Sequence, residues 1–129
     1  MKQIKILLTS TSFQDSEGKH KSLLSETFWK VDYLRGPLTK VQLLPYINKY
    51  DALICGDDEI DSEVLNHGKN GRLKYISKYG IGLDKIDLKA ADSFGIKVSN
   101  CKNVNQIAVA EHVIGLLFAY KKIFIFLII

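Results

Sequence analysis

Gly80-Ile81-Gly82 is the stretch whose residue types bear most directly on chemistry. Glycines let a backbone approach a ligand closely and turn amide N–H groups toward it, which suits a small carboxylate. The same two glycines suit a turn that needs positive φ, and spacing alone does not separate the two uses. A dinucleotide fingerprint is excluded, because GxGxxG would need a third glycine where Lys85 stands. Lys78, two residues upstream, can attract an anion or be a solvated lysine. Asn105, just before an apolar helical run, can orient a ligand through its amide or cap the helix. His20, His67 and His112 are far apart in the chain. His112 adjoins Glu111, but neighbours on a helix point in different directions, so no acid–base pair is expected there. GxSxG, P-loop and HExxH motifs are absent from the sequence. Cys55 and Cys101 lack zinc-ligand spacing and are expected to be reduced thiols of a cytoplasmic protein, with no metal site.

These residues need elements to hold them. Short β-rich runs alternate with helical ones. Strands are expected at Ile4–Thr9, Lys30–Leu34, Ala52–Cys55, Leu73–Ser77 and Ile96–Ser99. Thr11–Lys19 reads as a polar loop and His20–Phe28 as a helix. Thr39 caps a helix carrying Leu43, Leu44 and Ile47, Ser62 caps a shorter one, and Asp87 caps a third that Gly95 ends. A last helix starts near Gln106 and runs to Tyr120 or beyond. This alternation predicts an α/β fold, a flavodoxin-like doubly wound parallel sheet of about five strands ending in a long helix. Ligands in such sheets sit beyond the carboxyl ends of the strands. Gly56-Asp57-Asp58-Glu59 after the third strand, Lys78–Asp84 after the fourth and Asn100–Asn105 after the fifth are therefore expected to converge there as an anion or carboxylate pocket, with the Tyr79–Asp84 loop at the end of the fourth strand.

Composition narrows the functional classes. With 47% apolar and 25% charged residues, the 129-residue chain can bury the core of one domain. The net charge of +4 is spread rather than gathered into a stripe, which argues against nucleic acid as a partner. Val113–Tyr120 and Ile123–Ile129 are apolar, but Lys121-Lys122 divides them, and a membrane span wants about 20 apolar residues. A membrane partner is thus not expected. The terminal seven residues look like a surface awaiting a partner, and a homodimer is one such outlet.

The run Leu73-Lys74-Tyr75-Ile76-Ser77-Lys78-Tyr79-Gly80-Ile81-Gly82-Leu83-Asp84-Lys85-Ile86-Asp87-Leu88 closely resembles a signature of the D-isomer-specific 2-hydroxyacid dehydrogenases. Ala90-Ala91, Gly95-Ile96-Lys97-Val98-Ser99-Asn100 and Val109-Ala110-Glu111-His112 follow in the family's order and spacing. Tyr50–Asp57 resembles the phosphoglycerate-dehydrogenase-like branch. The resemblance implies that residues 1–122 are the N-terminal part of a substrate domain, beside which an NAD-binding Rossmann domain is inserted. It implies that the amides of the Gly80-Ile81-Gly82 loop hold the substrate carboxylate. Asn105 then lies near substrate and nicotinamide, and Val109 packs beside the cofactor ring. The helix from Gln106 to Lys122 would cross to the NAD domain.

The family's glycine-rich loop, its substrate-binding arginine and its histidine–carboxylate pair have no counterpart among these residues. No catalytic residue is therefore expected in the chain. Ile123–Ile129 depart from the family pattern and are expected to be an aberrant or truncated end. The implied function is a fragment of an NAD-dependent oxidoreductase acting on the CH–OH group of small D-2-hydroxy acids, or on the corresponding 2-keto acids. 3-Phosphoglycerate is the first substrate to consider, with Lys78 assisting, and the fragment alone is expected to be inactive. The competing expectation is a non-enzymatic binding or dimerisation module.

Overall fold

The computed structural model describes residues 2–128, with side chains described as far as Lys122. Five strands, β1 (Lys5–Leu8), β2 (Lys30–Tyr33), β3 (Ala52–Cys55), β4 (Tyr75–Lys78) and β5 (Lys97–Asn100), form one sheet in the order β2-β1-β3-β4-β5. Every pairing is parallel. This is the flavodoxin-like order, and it reverses direction after β1.

Right-handed crossovers then put the β1–β2 connection on one face and the later helices on the other. That first connection holds α1 (Thr11–Asp15) and α2 (Lys19–Ser25). The later helices are α3 (Lys40–Ile47), α4 (Ser62–Asn70) and α5 (Leu88–Ser93). Strand alternation sends Leu7, Leu53, Cys55 and Ile76 toward α3–α5, where all are buried with Leu43, Ile47, Val64, Leu65 and Ala91. The opposite alternation in β3–β5 leaves Ala52, Ile54, Tyr75, Ser77, Lys97 and Ser99 along an open trough of about 880 Å³.

Helix ends explain most boundaries. Thr39 forms a full capping box with Gln42, and Asp87 accepts the Ala90 N–H. Gly95, at φ 70°, follows α5 where a left-handed residue is needed. Asp61, not Ser62, caps α4 through the Val64 N–H, and an ionised carboxylate is the better acceptor at a helix start. The expected loop at Thr11–Lys19 is instead opened by α1, because Ser10 accepts the Phe13 N–H. The expected helix over His20–Phe28 is displaced to Lys19–Ser25.

The final helix, α6 (Gln106–Ile128), leaves the carboxyl edge of the sheet. Its side chains are exposed from Gln106 to Lys122. The apolar tail singled out from the sequence, side chains 123–129, lies outside the described residues. Among the described residues no helix is long and apolar enough to cross a membrane.

Candidate functional site

The carboxyl ends of β1, β3 and β4 converge on a polar cavity of about 210 Å³. Thr9, Ser10, Thr11 and Ser12 line it from the β1–α1 turn. Gly56 and Asp57 come from the end of β3, Pro37 from the turn after β2, and Lys78 through Gly82 from the end of β4.

A buried carboxyl group fastens these loops together. Asp58 is fully buried and accepts from the Thr9 hydroxyl, the Leu38 N–H and, at 3.3 Å, the Gly56 N–H. One side chain thus ties the ends of β1 and β3 to the turn after β2. Buried carboxyl oxygens left without such donors would be strongly destabilising. Gly36 completes the fastening. Its N–H donates to the Thr9 carbonyl at 2.9 Å, and a Cβ there would lie 2.6 Å from that same oxygen.

Lys78 is the second anchor. Alternation along β4 points it to the covered face, and it is only 5% exposed. Its ammonium donates to the Gly56 carbonyl at 2.6 Å and pairs with Asp57. An ammonium has three N–H groups, so one is left without a partner among the described residues. The hydrogen bond from Lys78, and next its charge, hold the Asp57 carboxyl below its ordinary pKa. Lys78 is therefore not the solvated lysine allowed by the sequence.

The Gly80-Ile81-Gly82 loop divides its polar groups. The Gly80 carbonyl accepts the Cys101 N–H at 2.9 Å, and the Ile81 carbonyl accepts the Asn100 side-chain amide at 2.7 Å. The amide N–H groups of Gly80, Ile81 and Gly82 have no hydrogen-bond partner among the described residues. Both readings of the glycines find a place here. Gly80 has φ 154°, a conformation L-residues rarely adopt, whereas Gly82 is not forced into the left-handed region. Unpaired donors on residues that line a polar hollow suit an anion of carboxylate size.

The remaining sequence candidates lie apart from the cavity wall. Asn105 is exposed ahead of α6, where its carbonyl accepts the Val109 N–H at 2.9 Å. Val109 is itself exposed on that helix. His112 and Glu111 are exposed there too. His20, which spacing placed far from any site, comes within 5.6 Å of the Tyr79 ring and packs edge-on to Phe13. Asp57 and Asp58 belong to the loop after the third strand that the sequence marks at this edge. The hydroxyl run Thr9–Ser12 was not singled out, although it too follows a strand end, which is the signal that could have found it.

No dinucleotide grip is built by these residues. Such a grip needs a glycine-rich turn opening a helix N-terminus onto a pyrophosphate. The turn after β1 is Thr9-Ser10 with a five-residue helix, and Gly80-Ile81-Gly82 opens no helix directly.

Residues 6–125 match the family described as D-isomer specific 2-hydroxyacid dehydrogenase, catalytic domain. The chain belongs to that family. It is 37% identical over 83 residues to D-3-phosphoglycerate dehydrogenase of Archaeoglobus fulgidus, covering 64% of this chain and 15% of that protein. It is 42% identical over 87 residues to glyoxylate reductase of Thermofilum pendens, covering 67% and 25%. Among solved structures, NAD+-bound 3-phosphoglycerate dehydrogenase of Entamoeba histolytica superposes with a TM-score of 0.72 at 25% identity, over 90% of this chain and 38% of that one. The chain thus spans well under half the length of the proteins it matches.

Proposed function

We propose that this chain supplies the substrate-carboxylate side of an NAD-dependent oxidoreductase acting on the CH–OH group of small D-2-hydroxy acids, or on the corresponding 2-oxo acids. The observation that carries the reading is the set of unpaired amide N–H groups at Gly80, Ile81 and Gly82 on the rim of a polar cavity. These donors would grip the carboxylate, and the spare Lys78 N–H would add a charged contact. Asn105 would turn the substrate toward the cofactor, and Val109 would pack beside its ring. NAD, where bound, supplies the hydride acceptor. The residues of this chain would bind and orient the acid.

The names of the relatives span a phosphorylated substrate, 3-phosphoglycerate, and the unphosphorylated glyoxylate. Acid–base catalysis typically contributes about 10²–10⁴-fold, and this chain offers no histidine–carboxylate pair at the cavity for it. The 129 residues alone are therefore expected to bind an acid without oxidising it.

Calorimetric titration of the chain with D-glycerate tests the reading. Weak binding that Gly82→Val abolishes is expected. A Cβ at Gly82 meets only the flexible Asp84 carboxylate, at 3.2 Å, so the fold tolerates the change while the valine fills the cavity mouth. Equal binding by the variant would reduce the loop to a turn. Steady NAD-linked turnover by the purified chain would overturn the division of labour.

A further inference from the structure

The cavity holds one cation and one anion. Among its lining residues Lys78 is the single positive charge and Asp57 the single negative one. The two are paired with each other. Lys78, buried and held by the Gly56 carbonyl, anchors the Asp57 carboxylate beside it. The Asp57 side chain is 77% exposed, so the carboxylate stands at the open lip rather than inside the wall. Lys85 acts on Asp57 from farther off and does not line the cavity.

The lining donors without an acceptor among the described residues include the three loop amides, the hydroxyls of Ser10, Thr11 and Ser12, and one N–H of Lys78. They suffice for a carboxylate, and among them only Lys78 carries charge. A phosphomonoester would add about 1.5–2 further negative charges near neutral pH. No lining cation is free to meet them, and the lip they would pass carries a carboxylate.

We propose that Asp57 is a specificity-determining residue, restricting this cavity to 2-hydroxy and 2-oxo acids whose sole anionic group is the 2-carboxylate. The distal substituent is then uncharged or cationic, and phosphorylated acids are rejected. The inference rests on the reading that the Gly80–Gly82 loop binds a carboxylate, and it decides between the two kinds of acid left open by that reading. The mechanism is like-charge repulsion at an anchored acidic residue rather than lack of space.

Titration of the full chain at low ionic strength with D-glycerate and with 3-phospho-D-glycerate provides the test. Glycerate is expected to bind at least about tenfold more tightly, a difference of about 1.4 kcal/mol. Asp57→Asn keeps an oxygen that can accept from Lys78 but removes the charge. It is expected to bring the two affinities together, chiefly by improving that of the phosphorylated acid. Asp57→Glu is expected to keep the discrimination. Added salt should narrow the gap in the unmodified chain, because the lip is exposed and screened.

Equal or tighter binding of the phosphorylated acid by the unmodified chain would overturn the role of Asp57 and leave carboxylate binding intact. A ratio unmoved by Asp57→Asn would do the same. If neither acid binds, or if glycerate binds equally to Gly82→Val, the underlying site assignment fails and this inference fails with it.

Discussion

The two faces of the sheet are unlike. Toward α3, α4 and α5 the strands present Leu7, Leu53, Cys55 and Ile76, none more than 1% exposed. The other face of β3–β5 carries Tyr75, Ser77, Lys97 and Ser99 in the open. The same two-residue alternation serves both faces, so the contrast comes from what covers each one. It also shows what holds the site. Lys78 and Cys55 point to the covered face at its carboxyl end, and Asp58 closes the loops just beyond. The cavity is thus positioned by the α3–α5 layer, and the open face adds little to it.

The largest effect that could break this comparison is a cavity in the covered face. Leu53→Ala should cost about 2–5 kcal/mol, because a fully buried leucine leaves a hole that collapses only partly. Ser77→Ala, on the neighbouring strand but the open face, should change stability by less than about 0.5 kcal/mol. Urea unfolding of the pair measures both. Similar losses would mean that the open face is as tightly packed as the other.

A smaller effect is expected at the amino-terminal edge of the trough. Asp51 lies between Arg72, whose Nε donates to it at 3.1 Å, and the Lys5 N–H at 2.8 Å. Partial burial acts to raise its pKa, but the Arg72 hydrogen bond and the Lys5 amide outweigh burial and hold it below the ordinary value. A depressed carboxyl contributes stability above the unfolded pKa of about 3.9 and loses it as pH falls through the lower folded value. Asp51→Asn should cost about 1–2 kcal/mol near neutrality, and less in acid, in denaturation curves taken from pH 7 downward. A constant cost at every pH would remove the charge from the account.

The Asp51–Arg72 pair also shows where sequence reading stops. Strand alternation and the Thr39 and Asp87 caps follow from local residue types, because each is enforced within a few residues of itself. The loop with free amides was equally visible, since glycines at a strand end are local too. By contrast, Lys78 could not be told from a solvated lysine, because its partners Gly56 and Asp57 lie more than twenty positions away. Asp58 is placed at the pocket edge by its strand end, but its fastening role stayed hidden, as its donors Thr9 and Leu38 are distant in the chain. Thr11–Lys19 misled because its polar residues favour a loop, while Ser10 supplies a cap that starts a short helix. His20 was set aside on chain distance, which the β1–β2 crossover cancels.

At the rim, Gly80→Ala should cost about 1–2 kcal/mol. The residue would be held at φ 154°, and its Cβ would stand 3.1 Å from the Lys78 Cε. Thermal unfolding in parallel with Gly82→Ala sharpens the contrast between a glycine required by conformation and one that keeps the cavity mouth clear. A Gly82→Ala loss as large as that of Gly80→Ala would erase it.

The smallest perturbation needs no mutation. Cys55 is buried on the covered face, and burial, with the Asp58 charge adding to it, pushes its thiol up to about 12. Cys101 is only partly buried. A thiol-reactive probe on the native chain should label Cys101 within its assay time and leave Cys55 unmodified until denaturant is added. Early labelling of Cys55 would mean that the covered face opens readily.

The most direct measurement follows the backbone amide resonances of the whole chain while D-glycerate is added. Binding at the cavity predicts the largest shifts at Gly80, Ile81 and Gly82, smaller ones at Thr9–Ser12, and none at Ala52, Tyr75 and Lys97 on the open face. Shifts concentrated along the trough, with the Gly80–Gly82 amides unmoved, would contradict the assignment of the carboxylate site.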